Sequence, residues 1–118
     1  MKQTDLKERT KNLALATIRF AAGLPLSTEY QVIQRQLIRS ASSVGANYRA
    51  ACRSRSRRDF IARLGIVAEE SDEVQYWLEL LEGLRGSTHP KVTALQKEAN
   101  ELVAIMVASI NTARAKVK

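Results

Sequence analysis

Apolar residues recur at alternating steps of three and four along almost the whole chain. The repeat breaks only where glycine, proline or a run of arginine and serine intervenes. That spacing keeps side chains on one face of an α-helix, whereas a strand would scatter them over both faces. No segment alternates polar and apolar residues, so no sheet is expected. A length of 118 residues suits one domain with a single core. The pattern therefore predicts an all-α fold, an antiparallel up-and-down four-helix bundle. The domain covers 1–118, with helices over about 5–22, 28–52, 57–84 and 91–115.

The first segment carries Leu6, Leu13, Thr17, Phe20 and Leu24 on one side. Gly23-Leu24-Pro25 ends it, with glycine suited to a left-handed cap and proline unable to continue the ladder. Ser27 is placed to cap the second helix, and Glu29 suits its positive first turn. The second stripe is Tyr30, Ile33, Leu37, Ala41, Val44 and Tyr48. Small residues lie within it, Ser40-Ala41-Ser42-Ser43 and Gly45-Ala46. They predict a tight helix crossing, because Gly45 costs about 1 kcal/mol against alanine and needs a packing reason. After Arg53-Ser54-Arg55-Ser56-Arg57-Arg58, Ser56 and Asp59 form a variant capping box. The third stripe is Phe60, Leu64, Val67, Ser71, Val74, Leu78 and Leu81, flanked by Ile61, Ala68, Trp77 and Leu84. Gly83, Gly86 and Ser87-Thr88-His89-Pro90 make the third loop. Val92, Leu95, Ala99, Leu102, Met106, Ile110 and Ala113 line the fourth helix.

Hydrophobic residues make up 45% and charged residues 26%, a globular balance that argues against disorder. Nineteen Lys and Arg against twelve Asp and Glu give a formal charge of +7. Such a charge attracts polyanions, nucleic acid first among them, or serves solubility alone. It is unevenly spread. Eight arginines and one acid, Asp59, fall between Arg35 and Arg63, whereas Ala68 to Glu82 holds six acids and no base. The arginine fork grips phosphate or carboxylate in two bonds, which leaves two competing uses. Arg53, Arg55, Arg57 and Arg58, supported by Arg49, bind nucleic-acid backbone in one. In the other, arginines such as Arg35 and Arg39 meet the acidic helix of a second subunit, at Glu69, Glu70, Glu73, Tyr76 and Trp77.

Catalytic chemistry is not expected. Glu69, Glu70 and Glu73 invite a di-metal reading, but His89 is the only histidine and stands beside Pro90 in a loop. The single cysteine, Cys52, excludes an intrachain disulfide and is expected to pack at a helix end. The glycines are isolated, so no phosphate loop or dinucleotide fingerprint occurs. No metal or cofactor is predicted. No apolar run approaches the roughly 18–20 residues of a membrane span, and Met1 to Asp5 leads straight into a charged helix. A cytoplasmic protein without a membrane partner is the simplest expectation.

The run Gln36-Leu37-Ile38-Arg39-Ser40-Ala41-Ser42-Ser43-Val44-Gly45-Ala46-Asn47 resembles a bacterial four-helix-bundle family. That family is known from proteins encoded in intervening sequences of 23S ribosomal RNA genes. The resemblance continues through Arg55-Ser56, Asp59-Phe60-Ile61, Leu64-Gly65-Ile66-Val67, Glu69-Glu70 and Asp72-Glu73 to Tyr76-Trp77-Leu78-Glu79-Leu80-Leu81. Leu24-Pro25 and Glu29-Tyr30 fit the family's first connection. Where the family commonly has Glu-Gly, Ala50-Ala51 stand here and favour a longer second helix. The resemblance implies self-assembly, typically as a homopentamer, and no catalytic residues. It also brings a relative, the accessory variability determinant of diversity-generating retroelements, which partners a reverse transcriptase and is basic enough to bind nucleic acid. The leading expectation is thus a homo-oligomer that binds RNA or DNA backbone. Its rival is an adaptor that docks a protein such as a reverse transcriptase, with no direct nucleic-acid role.

Overall fold

Four helices follow one another in the computed structural model, which describes residues 2–117. They are α1 (Gln3–Ala22), α2 (Thr28–Cys52), α3 (Arg57–Arg85) and α4 (Pro90–Val117), and no strand occurs among the described residues. The 29 residues of α3 rise about 44 Å, close to the 50 Å long axis of the bundle. Each helix packs on its neighbours in sequence, and α1 closes the square on α4. Two contacts fix the antiparallel register of the first pair. Gly45 lies against Thr10, and the Gln34 side-chain amide donates to the Ala21 carbonyl at 2.8 Å. These contacts are eleven residues apart on each helix, so both report the same alignment. The Gln34 bond is a second one to the Ala21 carbonyl, which also accepts from Leu24 N–H in the turn that ends α1.

The helix ends differ from several expectations. Gly23 is not left-handed (φ −91°, ψ 2°). The chain instead tightens, with Gly23 N–H donating to Phe20 and Leu24 N–H to Ala21. Ser27 occupies the N-cap position of α2 with extended backbone, but its hydroxyl makes no capping bond. Gly83, expected in the loop, lies inside α3, and the left-handed cap falls on Gly86 (φ 72°), whose N–H donates to the Glu82 carbonyl at 2.8 Å. Helix α4 begins on Pro90, where proline's missing N–H is harmless. His89 caps this helix. Its Nδ1 accepts from Lys91 N–H at 3.0 Å, and its ring meets Phe20 edge-on. Ser56 caps α3 as expected, accepting from Asp59 N–H at 3.1 Å.

One hydrophobic cluster runs through all four helices, built from the predicted stripes. Among the central stripe residues of α2 and α3, Leu37, Ala41, Val44, Leu64, Val67, Val74, Leu78 and Leu81 are fully buried. Cys52 ends α2 half-buried against this core. The α1/α4 seam carries an ion pair that no local pattern revealed. The Arg9 fork donates from Nε to Glu98 Oε2 at 2.9 Å, and from Nη2 to Glu98 Oε1 at 2.5 Å and Glu101 Oε2 at 2.7 Å. Its partners stand three apart on α4, on the flank of Ala99 and Leu102.

The small-residue patch does hold a close crossing. A Cβ placed on Gly45 would sit 3.5 Å from the Thr10 backbone, ordinary van der Waals contact. Alanine therefore fits and recovers helix propensity, whereas a longer side chain would lever α1 away. Gly45→Ala is expected to raise stability by up to about 1 kcal/mol and the midpoint by about 4 °C, and Gly45→Leu to lower it by about 1–3 kcal/mol. Thermal melts by circular dichroism at one protein concentration check both signs.

Candidate nucleic-acid interface

The connection from α2 to α3 is only residues 53–56, and it is anchored at both ends. Arg53 N–H donates to Ala50 and Ser54 N–H to Ala51, which tightens the end of α2, while the Ser56 cap starts α3. Arg53 and Arg55 are presented from this short, braced segment. Arg57 and Arg58 occupy the first two positions of α3, and Arg49 lies one turn before Arg53 on α2. All five are exposed. Among the described residues none of them forms a salt bridge; the arginines that do are Arg9, Arg39 and Arg63. The nearby acid, Asp59, accepts from Arg63 Nε at 3.1 Å, and that bond holds its carboxyl below the ordinary range. A shallow cavity of about 430 Å³ gathers Arg53, Arg55, Arg63 and Asp59.

Arg57 and Arg58 sit where the α3 dipole is positive, a placement that helix stability disfavours by a few tenths of a kcal/mol each. Two lysines that the sequence reading did not single out join this end. Lys7 and Lys11 of α1 line a groove of about 460 Å³ together with Arg49 and Arg53. Their spacing of one turn was visible in the sequence. Their neighbours were not, because these follow from the antiparallel register of α1 on α2.

The family described as 23S rRNA-intervening sequence protein matches residues 2–108 of this chain. The chain belongs to that family. Its fold is also similar to the crystal structure of a protein of unknown function from the S23 ribosomal protein family of Bacteroides thetaiotaomicron. The two are 30% identical, the match covers 89% of this chain and 97% of that one, and the TM-score is 0.81. No curated protein sequence matches it.

The opposite polarity of this 23S rRNA-intervening sequence family member lies on α3. Arg39 meets that acidic face within its own chain, reaching Glu70 at 3.1 Å and also Glu73. Glu73 further accepts from Trp77 Nε1 at 3.2 Å, and the Trp77 ring is edge-on to Tyr76. Arg35 and Glu69 are exposed, Trp77 is half-buried against the core, and Tyr76 is 52% exposed. Tyr76 belongs to an exposed stripe with Ile66, Leu80 and Leu84, spaced at helical intervals around Glu73. Val32 of α2 is exposed as well. With Glu70 and Glu73 taken by Arg39, the described residues show no cluster of three His, Cys, Asp or Glu that could hold a metal ion. No described helix is long and apolar enough to cross a membrane.

Burial pushes the Glu73 carboxyl up, but the Trp77 N–H and the Arg39 guanidinium outweigh it and hold the group below the usual glutamate value. The ionised form is thus favoured by the fold. Its stabilising contribution is complete above the ordinary glutamate range, about pH 4.3, and is lost as pH falls through the lowered native value. Trp77 is the only tryptophan. Its fluorescence should titrate with a midpoint below about pH 4.3, and Glu73→Gln should abolish the transition. A midpoint at or above that value would contradict the assigned contacts.

Proposed function

We propose that this family member is a cytoplasmic, non-catalytic homo-oligomer, a pentamer, that binds RNA or DNA through the phosphate backbone. The observation that carries the reading is the group of five exposed guanidinium side chains, Arg49, Arg53, Arg55, Arg57 and Arg58. None of them forms an ion pair among the described residues. Contacts of this kind neutralise phosphates and release counterions, so they bind strongly at low salt and read little sequence. Five copies of a chain with formal charge +7 would carry about +35, a strong attractor for polyanions. The family's name ties its members to intervening sequences of 23S rRNA, which fits an RNA ligand.

Self-association is supported by the exposed stripe of Ile66, Tyr76, Leu80 and Leu84 beside the acidic ladder of α3, a face suited to burial against another copy. Fluorescence anisotropy with unrelated RNA and DNA oligonucleotides across salt, together with light scattering, tests the two halves. The expected results are sequence-blind binding that weakens linearly in log salt, and a mass of five chains. Absence of binding at low salt ends the nucleic-acid reading. A monomeric mass would leave the α3 stripe to a different protein, such as a reverse transcriptase, and make the adaptor reading the better one.

A further inference from the structure

The groove between α1 and α2 has the attributes of a second stretch of the same binding path. Lys7 and Lys11 stand one turn apart on α1, and Arg49 near the end of α2 stands beside Arg53, the first residue of the connection, so the two pairs of cations face a common groove of about 460 Å³. Its floor includes Gly45 and Ala46, which keep the helices close and the space between the cations open. The one acid lining it is Glu8, whose contact with Lys11 is long, at 4.0 Å, and highly exposed on both sides. Such a pair contributes little and yields readily to a phosphate. Arg53 also lines the cavity that holds Arg55 and Arg63, so one side chain borders both the groove and the arginine connection.

The lining also selects among nucleic-acid forms. Proteins that hold single strands stack the bases on aromatic side chains. None of the residues lining this groove is aromatic. The exposed Tyr76 and its neighbour Trp77 lie on the acidic helix, and Tyr48 of α2 is buried in the core. Cations over a floor of small residues suit a ligand that offers only phosphates and keeps its bases paired.

We propose that the α1/α2 groove is a phosphate clamp for double-stranded nucleic acid, with Lys7 and Lys11 gripping the backbone opposite Arg49 and Arg53. This rests on the nucleic-acid reading above and extends it to residues outside the arginine connection. The test uses the full chain with labelled duplexes and single strands of equal length and unrelated sequence. Lys7→Ala/Lys11→Ala should reduce the salt slope for duplex by about 1.8 and weaken affinity about thirtyfold at 0.15 M salt. Lys91→Ala/Lys97→Ala removes the same charge from exposed positions on α4 and should leave the slope unchanged. Ala46→Trp fills the groove without altering charge and should also weaken duplex binding.

Equal losses from the two lysine pairs, with no effect of Ala46→Trp, would overturn the clamp while leaving backbone binding by the arginines intact. Tighter binding of single strands than of duplex would overturn the duplex assignment. A native chain that binds neither form would overturn the underlying reading together with the clamp.

Discussion

Replacing Arg53, Arg55, Arg57 and Arg58 together by alanine is expected to weaken nucleic-acid binding about a thousandfold at 0.15 M salt, with no loss of stability. The magnitude follows from counterion release. If each guanidinium neutralises one phosphate, the slope of log affinity against log salt falls by about 0.9 per residue, or about 3.6 for four. The difference from the native protein then grows as salt is lowered and closes toward 1 M. Loss of base-specific contacts would persist at high salt, so the shape of the comparison identifies the mechanism. A variant with unchanged affinity and slope would remove these residues from the interface.

The stability half of this expectation is equally specific. All four side chains are exposed and form no salt bridge among the described residues. Surface substitutions of that kind stay within about 0.5 kcal/mol. Removing Arg57 and Arg58 also takes two positive charges away from the positive end of α3, which favours the folded helix slightly. The Ser56 cap and the turn ending α2 use backbone and serine atoms that the substitutions leave in place. The melting midpoint should therefore hold or rise slightly while binding collapses. Residues that oppose their own helix and yet hold no partner in the fold are suited to a ligand outside it.

How legible these features were depends on the range of the interaction. Helix existence is local, and the three-and-four spacing of apolar residues sufficed to find all four. The Ser56 cap was legible for the same reason. Cap geometry at Gly23 was not, because a glycine preceding Leu-Pro can close a helix with a tight turn instead of a left-handed residue. Glycine is a weak helix former, which points Gly83 to the loop, but α3 runs on through Leu84 and Arg85 to its cap at Gly86. Cross-helix pairs lay beyond any local pattern. Arg39 reaches Glu70 and Glu73, Arg9 reaches Glu98 and Glu101, and Lys7 and Lys11 come beside Arg49 and Arg53, only once the register of neighbouring helices is set. The charge blocks were plain in the sequence; which charges remain unpaired was not.

Leu78→Ala should have the opposite profile to the arginine variant: a large loss of stability and unaltered nucleic-acid affinity below the melting transition. Leu78 is fully buried in α3, 0% exposed, within the cluster shared by all four helices. Truncation removes its transfer free energy and leaves a cavity that helices locked on both sides cannot close. The cost is about 3 kcal/mol, within the range for buried leucines, against a total of roughly 5–15 kcal/mol for a domain of this kind. For a chain of this length that corresponds to about 12 °C in midpoint at fixed protein concentration. Ser71→Ala, two turns away and equally buried, is the informative contrast. Its hydroxyl donates to the Val67 carbonyl of its own helix at 2.8 Å, as Thr10, Thr17 and Ser40 do toward Leu6, Leu13 and Gln36. Those carbonyls lie within helices whose backbone ladder already uses them, so alanine strands no unpaired group and should cost no more than about 1 kcal/mol. A comparable loss at both positions would mean that the hydroxyls bond between helices, not along them. A small loss at Leu78 would mean that the core around it is loosely packed, and the bundle would then have to be held chiefly by association with other copies.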